Sequence, residues 1–261
     1  MENSLRLGFA LGIFLIMVIW EILTPRRPLA LTRINRWSVN LGLALSNQLF
    51  VRFSVGAMAY FTAIYAQEHG IGLLNLGRLP ESVTIIISLL ILDLAIYGQH
   101  IASHQWKWLW RLHQVHHSDV EIDVTTAVRF HPLEIIISLG YKGLCIIVIG
   151  IDPFAVILFE IILNGAATFN HSNVKLPLSL DKNLRWLIVT PDMHRIHHST
   201  YQTEMDSNYG FSISLWDRLF KTYTEKPQDP MLTMRLGLNY LRDPSQLVFL
   251  QLLLLPFRKF K

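Results

Sequence analysis

Cysteine is almost absent from the sequence. The only one among 261 residues is Cys145, which lies in the apolar run "GLCIIVIG". A single cysteine excludes an intramolecular disulfide framework, a CxxC redox pair, a thiolate zinc site and an iron–sulfur cluster held by this chain alone. We therefore expect Cys145 to be a buried small apolar residue.

Charged residues are also scarce, at 16% of the chain against 51% hydrophobic residues. The mean hydropathy of +0.34 is higher than that of a typical soluble domain, so the composition predicts a membrane protein. The net charge is only +4, and no basic stripe with interleaved aromatics indicates nucleic-acid binding. No low-complexity linker divides the chain, and we predict one domain over 1–261, with the histidine motifs at about 97–223.

Long apolar runs cover residues 5–23, 39–66, 83–101 and 133–170. A bilayer is crossed by about 20 residues of helix, so residues 133–170 are too many for one span. The sequence "GIDP" at 150–153 predicts a turn in the middle of a helical hairpin. Residues 5–23 lack a basic flank and a small-residue cleavage site, which favours a span over a signal peptide. The shorter run at 247–257 predicts a helix that lies at the interface or docks on the core.

The arginines of the predicted loops indicate the orientation in the membrane. Four of them follow the first apolar run, at positions 26, 27, 33 and 36, whereas the loop at 67–82 contains only Arg78. Because basic residues concentrate in cytoplasmic loops, we expect the first loop to be cytoplasmic. Alternating spans then bring every histidine except His69 to a cytoplasmic membrane boundary or beyond it.

The 11 histidines fall into groups. His100 and His104 are four positions apart, and the word H-x-x-H-H occurs twice, as "HQVHH" at 113–117 and "HRIHH" at 194–198. Residues spaced by three or four lie on one face of a helix, so we expect the rings of each word to share a face. His104 and His113 are nine positions apart and would lie on opposite faces of a straight helix. A helix break is therefore predicted within "QWKWLWRL".

This number of imidazoles indicates a site for two metal ions. Neutral imidazole binds iron, zinc, copper and nickel, and eight histidines exceed the three or four that one zinc ion needs. Two more histidines lie at the predicted ends of the hairpin and raise the candidate set to ten. The candidate metal ligands are His100, His104, His113, His116, His117, His131, His171, His194, His197 and His198.

Carboxylates near these groups could accept the second ring N–H of a ligand and so orient it. The candidates are Asp119, Glu121, Asp123, Glu134, Asp192, Asp206 and Asp217. Glu160 is different, because it lies inside the second half of the hairpin. An ionisable group at that depth invites a functional hypothesis, and Lys142 is a possible partner.

The histidine motifs, together with "RFHPLE", "NHSN", "PDMHRIHHS" and "DSNYGFSISLWDRLFKTY", resemble those of the fatty acid hydroxylase and sterol desaturase superfamily. The resemblance covers residues 100–223. It implies an all-α multi-pass membrane protein with about four transmembrane helices, the last two forming a hairpin, and a cytosolic helical cap that holds two iron ions. The eight histidines of the three groups would be iron ligands at the catalytic centre, with His171 a further ligand. Ala167 stands where some members have another histidine, which leaves the tenth ligand open and makes His131 a candidate.

The resemblance also implies a chemistry. Two irons and O2 would hydroxylate or desaturate an unactivated C–H bond of a lipid substrate. The sequence has no nucleotide-binding motif and no cluster cysteines, so a separate electron donor, a cytochrome, ferredoxin or reductase, is implied. Four basic residues are candidates for its docking surface: Arg185, Arg195, Arg218 and Lys221. The expected location is a bacterial inner membrane or the endoplasmic reticulum membrane, with the site on the cytoplasmic face.

Two other classes of protein remain open at this point. A dimetal hydrolase would need a general base such as the glutamate of H-E-x-x-H, and neither histidine word contains one. A membrane carrier of metal or haem would suit histidines within the spans, whereas these words lie mostly outside them.

Overall fold

A computed structural model describes residues 2–29, 31–54, 58–77 and 79–258. Within these ranges the chain forms helices and short 3-10 turns, with isolated bridges and no strand, which confirms the predicted all-α class. The α-helices of the described residues are α1 (Glu2–Leu23), α2 (Arg33–Ser54), α3 (Met58–Glu68), α4 (Glu81–Gln105), α5 (Lys107–His117), α6 (Pro132–Ile149), α7 (Pro153–Asn170), α8 (Leu178–Leu184), α9 (Pro191–His197), α10 (Gln202–Met205), α11 (Leu215–Leu219) and α12 (Phe249–Leu254).

Three of the described helices, α4, α6 and α7, are long and apolar enough to cross a membrane. They correspond to the predicted run at 83–101 and to the two halves of 133–170. The described apolar part of α1, Gly8–Leu23, is shorter. The predicted run at 39–66 divides into α2 and α3, and residues 55–57 lie outside the described residues, as does Arg78 of the predicted external loop.

The turn between α6 and α7 forms where "GIDP" predicts one. Gly150 has a φ of 76° and ends α6, and a Cβ at this position would come within 2.7 Å of the Asn75 side chain. Asp152 then caps α7 by accepting a hydrogen bond from the Ala155 N–H. The two helices pack chiefly on other elements, α6 on α3 and α2, and α7 on α1, α4 and α3.

The predicted helix break is present at Trp106. This residue has extended backbone angles, φ −95° and ψ 117°, between the end of α4 at Gln105 and the start of α5 at Lys107. The break redirects the chain, so that the histidines of α5 approach those of α4. The prediction is confirmed: a straight helix would place His104 and His113 on opposite faces, whereas with the break their ring centroids lie 5.0 Å apart.

The C-terminal segment docks on the core. Leu252 of α12 and the following Leu255 are buried beside Leu43 of α2 and Val115 of α5. Of the two placements predicted for 247–257, the structure thus has the docked one. Cys145, which we expected to be buried, is only half-buried on α6.

A buried ionic network attaches the loop after α5 to the start of α2. Arg36 is 6% exposed and donates to the carboxylates of Asp119 and Asp123. Burial raises the pKa of Asp119, but Arg36 and Arg129 outweigh burial and hold that pKa below its ordinary value. Charges paired this way are costly to separate, so the network holds the polar loop after α5 in one place.

Candidate dimetal centre

Nine histidines converge at one end of the long helices, in two adjacent groups. Within each group, one ring nitrogen of every residue lies within 4.8 Å of the corresponding nitrogens of the others. The five-histidine group consists of His100, His104, His113, His117 and His197. The four-histidine group consists of His116, His171, His194 and His198.

Each three-histidine word is divided between the two groups. His113 and His117 enter the five-histidine group, and His116 between them enters the other. The second word is divided in the opposite sense, since His194 and His198 enter the four-histidine group and His197 does not. Our expectation that each word presents one face needs this correction. Neighbouring residues of a helix point about 100° apart, so His116 and His117 face different centres.

Three members of the five-histidine group, His100, His113 and His197, have one ring nitrogen hydrogen-bonded and the other unpaired. The Nδ1 atoms of His100 and His197 lie 2.8 and 2.7 Å from the carbonyl oxygens of Tyr209 and Ser207. The Nε2 atoms of His100, His113 and His197 are buried and have no hydrogen-bond partner among the described residues. An outer hydrogen bond at one nitrogen and a free lone pair at the other is the arrangement of metal-binding histidine.

The four-histidine group centres on His171. Its Nδ1 donates to the Ala167 carbonyl, so the neutral ring carries no proton on Nε2. That Nε2 lies 3.0 Å from Nε2 of His116 and 2.9 Å from Nε2 of His194. Two nitrogens that each lie about 2.1 Å from one metal ion, with an N–metal–N angle of about 90°, are about 3 Å apart. The spacing of this group therefore fits one shared ion.

Burial lowers the pKa of eight of these rings and so favours their neutral form. It lowers the pKa of His171 to about 4, and with neighbouring histidines it lowers the pKa of both members of each adjacent pair, His116–His117 and His197–His198, well below the ordinary value. Neutral imidazole is the form that binds metal. An all-nitrogen donor set in two groups, with buried unpaired lone pairs, fits two transition-metal ions such as iron.

Aromatic rings enclose the histidines. Phe130 stacks on His116 with centroids 4.5 Å apart and planes 5° from parallel. Tyr209 lies edge-on to His104, and Trp110 packs against the same ring with centroids 5.1 Å apart. These rings hold the imidazoles in place and keep water from them.

His131 lies apart from both groups. It is the N-cap of α6, where its Nδ1 accepts from the Leu133 N–H and its Nε2 lies 3.1 Å from the Leu253 carbonyl. Both ring nitrogens are therefore engaged by backbone groups. The prediction that His131 supplies the tenth ligand is corrected accordingly, because a histidine just before Pro132 caps the helix instead of facing the metal groups.

Two of the seven candidate carboxylates lie beside a histidine ring nitrogen. Glu134 Oε1 lies 2.6 Å from Nδ1 of His113, and Asp206 Oδ1 lies 3.5 Å from Nδ1 of His104. The other five carboxylates contact arginine side chains or backbone amides: Asp119, Glu121, Asp123, Asp192 and Asp217. Other hydrogen-bond partners of the grouped histidine rings are backbone carbonyls. The sequence did not identify them, because every residue has a carbonyl.

Two of the four basic residues predicted for the docking surface are buried. Arg195 is 1% exposed and donates to Asp192 at 2.6 Å, and Arg185 is largely buried against Asp181. Arg218 is held between the rings of Trp186 and Tyr223, 4.0 and 3.8 Å from their centroids. Lys221 is exposed. Arg195 in particular cannot contact an electron donor, because its side chain is buried and paired with Asp192.

A cavity of about 390 Å³ leads from the histidines into the helical base. His100 and His113 line one end. From there it follows α6 and α7 to the Lys142–Glu160 ion pair, whose nearest atoms are 3.1 Å apart. Both helices are long and apolar enough to span a membrane. It is large enough for part of a lipid.

Comparison with known proteins gives a family match. The sequence profile described as "Fatty acid hydroxylase" matches residues 85–222, which hold all nine histidines of the two groups. No solved structure matches this chain significantly.

Several characterised relatives are lipid-oxidising enzymes. The ornithine lipid hydroxylase of Rhizobium tropici is 29% identical over 157 residues, which are 57% of this chain and 44% of that protein. The alkylglycerol monooxygenase of Homo sapiens is 30% identical over 132 residues, covering 50% of this chain and 28% of that protein. The cholesterol 25-hydroxylase of Rattus norvegicus is 22% identical over 240 residues, covering 85% and 76%. The chain thus spans less than half the length of the first two of these relatives.

Proposed function

We propose a function on the premise that this chain belongs to the fatty acid hydroxylase family. The protein is an integral-membrane oxygenase that uses O2 and external electrons to hydroxylate an unactivated C–H bond of a lipid. The nine histidines of the two groups bind two iron ions. The substrates named for the relatives, ornithine lipids, alkylglycerols and cholesterol, have in common a lipid with a polar group.

One observation carries the proposal. Two adjacent groups of buried imidazoles carry unpaired nitrogens, and His100 and His113 of the five-histidine group line a cavity that continues between apolar helices. A metal centre at the end of a lipid-sized cavity at membrane depth suits oxidation of a lipid. A hydrolase would also need a general base beside the metals, and Glu134, the carboxylate that is hydrogen-bonded to a ligand among the described residues, is bonded to the outer nitrogen of His113.

The protein residues position the reaction. Two bound ferrous ions would supply reduction of O2 to an oxidant able to replace a C–H hydrogen with hydroxyl. Glu134 orients His113, and the carbonyls of Ser207 and Tyr209 orient His197 and His100. The rings of Phe130 and Tyr209 exclude water from the buried histidines. The cavity holds the substrate carbon against this end wall, and such positioning is a large part of catalysis.

The topology and partners follow the same proposal. The three long apolar helices span the membrane, α6 and α7 act as the descending and returning limbs of the hairpin, and the histidine end faces the cytoplasm. A separate electron donor, a cytochrome, ferredoxin or reductase, approaches this end. Arg218 and Lys221 remain as basic residues for its docking.

The test compares lipids of cells that express the wild-type chain with those of cells that express His197→Ala. The wild type is expected to produce lipids with a mass gain of one oxygen, and His197→Ala is expected to produce none. His69→Ala is the matched control, because His69 is exposed and bonded only to its own helix. Purified protein should contain two irons per chain. Zinc in place of iron, or oxidised lipid that persists in His197→Ala, would refute the proposal.

A further inference from the structure

The cavity is lined by polar and apolar side chains together. α6 contributes Glu134, Ser138 and Lys142, which are spaced by four residues, and α7 contributes Glu160 and Asn164, which are also spaced by four. Residues with this spacing lie on one face of a helix, so each helix presents a polar stripe to the cavity. The rest of the lining includes the apolar side chains of Val51, Ile96, Ile135, Leu139, Leu163 and Phe211, and polar side chains of α2 and α4: Asn47, Gln48, Gln99 and Ser103. A lining of this mixed character fits an amphiphile better than a pure hydrocarbon.

The Lys142–Glu160 pair is the most costly part of the polar lining. Its side chains are 8% and 15% exposed, and both residues lie within helices long and apolar enough to span a membrane. Charges at that depth cost free energy, and apolar residues of similar size usually stabilise such a position at least as well. The pair borders the cavity, so its charges are available to a molecule bound there.

The chemistry of the pair limits what it can bind. Lys142 offers N–H donors, and the adjacent Glu160 carboxylate offers acceptors. A hydroxyl or an amide can accept from the first and donate to the second. A free carboxylate would be attracted by Lys142 but repelled by Glu160, and a hydrocarbon would leave both groups without any new partner.

The distance to the histidines sets a second condition. Eight residues of α6 separate Lys142 from Glu134, which contacts His113. They rise about 12 Å, which an extended alkyl chain covers in about ten carbon–carbon bonds. A molecule whose polar group lies at the ion pair therefore reaches the metal end with a carbon well away from that group.

We propose that the cavity binds a neutral lipid whose hydroxyl or amide group is held by Lys142 and Glu160, and that the carbon about ten bonds away lies at the histidine end. This inference rests on the proposed function and names the substrate class of the same site. It excludes free fatty acids and hydrocarbons as preferred substrates.

The test is photoaffinity labelling of the full chain in lipid nanodiscs without any reductant, so that labelling does not require turnover. The probe is hexadecan-1-ol with a diazirine at about the eleventh carbon, which matches the rise of eight α6 residues. We expect the label on the 127–130 segment or α5, next to His113. Lys142→Met and Glu160→Gln should each reduce labelling about tenfold, because each removes a charged hydrogen-bond partner of the hydroxyl. Lys175→Met, the same chemical change at an exposed position, should leave labelling unchanged.

Competition with unlabelled molecules tests the class. Hexadecan-1-ol should displace the probe at a concentration about tenfold lower than hexadecanoic acid or hexadecane. Equal competition by hexadecane, or full labelling of Lys142→Met, would overturn the inference. Labelling that depends on Lys142 in a chain that yields no oxidised lipid in cells would instead count against the proposed function alone. Size-exclusion profiles of the two cavity variants should match the wild type, which separates loss of binding from loss of folding.

Discussion

The rings of His117 and His198 stack with their centroids 4.4 Å apart and their planes 20° from parallel, although the two residues belong to different histidine groups. The two candidate metal positions therefore share a wall of imidazoles. Each H-x-x-H-H word supplies two histidines to one position and one to the other. This crossing explains why the word occurs twice, because a single copy furnishes neither group completely.

Metal content should distinguish the nine grouped histidines from His131. Iron-grown wild-type protein is expected to contain two irons per chain, and His198→Ala is expected to lose about one of them. His131→Asn should keep two irons, because His131 caps α6 and asparagine also caps helices. Elemental analysis with protein quantification measures both. An iron loss in His131→Asn equal to that in His198→Ala would contradict the assignment.

Glu134 should act as a positioning residue for His113. Its Oε1 accepts at 2.6 Å from the outer nitrogen of the ring, so Glu134→Gln weakens the hold on one ligand without removing it. We expect a 10–100-fold loss of iron affinity or of activity, measured by iron competition with a chelator. Asp206→Asn is the comparison, because Asp206 lies 3.5 Å from His104 and should matter less. A larger effect of Asp206→Asn would reverse this ranking.

Arg36 should be critical for folding. Replacing it with methionine leaves Asp119 and Asp123 buried without their main cation, and breaking a buried ion pair from one side costs about 3–5 kcal/mol. The variant is expected to have a much lower thermal midpoint in detergent, or to yield no folded protein. Lys182→Gln, at an exposed position of α8, should change stability by less than about 1 kcal/mol. Similar midpoints for the two variants would contradict the role of the network.

Asp217 should add a specific pH dependence to stability. Burial raises the pKa of this carboxyl to about 6, whereas in the unfolded chain it has its ordinary value near 3.8. The folded protein thus holds this proton more tightly, so its contribution to the unfolding free energy is full below about pH 4 and is lost as pH rises to about 6.

Asp217→Asn removes this titration, and the histidines are the same in the wild type and in the variant. The unfolding free energy of the wild type minus that of the variant should fall by up to about 3 kcal/mol between pH 4 and 6. Above pH 6 this difference should stay level. Thermal unfolding at a series of pH values measures it. A difference that is flat across this window would show that Asp217 has an ordinary pKa.

Local features were predictable from the sequence because neighbouring residues determine them. The helix break at Trp106 follows from the nine positions between His104 and His113. The turn at Gly150 follows from a glycine and a proline between two apolar runs. The membrane class follows from composition, and the candidate multi-metal site follows from the number and spacing of histidines.

What the tertiary structure decided depends on contacts between distant segments. His116 lies in the same histidine group as His171, which is 55 residues away, whereas His117 lies in the group of His197. This division depends on how α5, α7 and α9 pack together. No spacing rule contains that information. The same holds for the exclusion of His131, which has the residue type of a ligand but lies with both nitrogens against backbone groups. The sequence by itself determined which side chains could bind metal, since that is their chemistry, and only the packing of the helices decided which of them face one another.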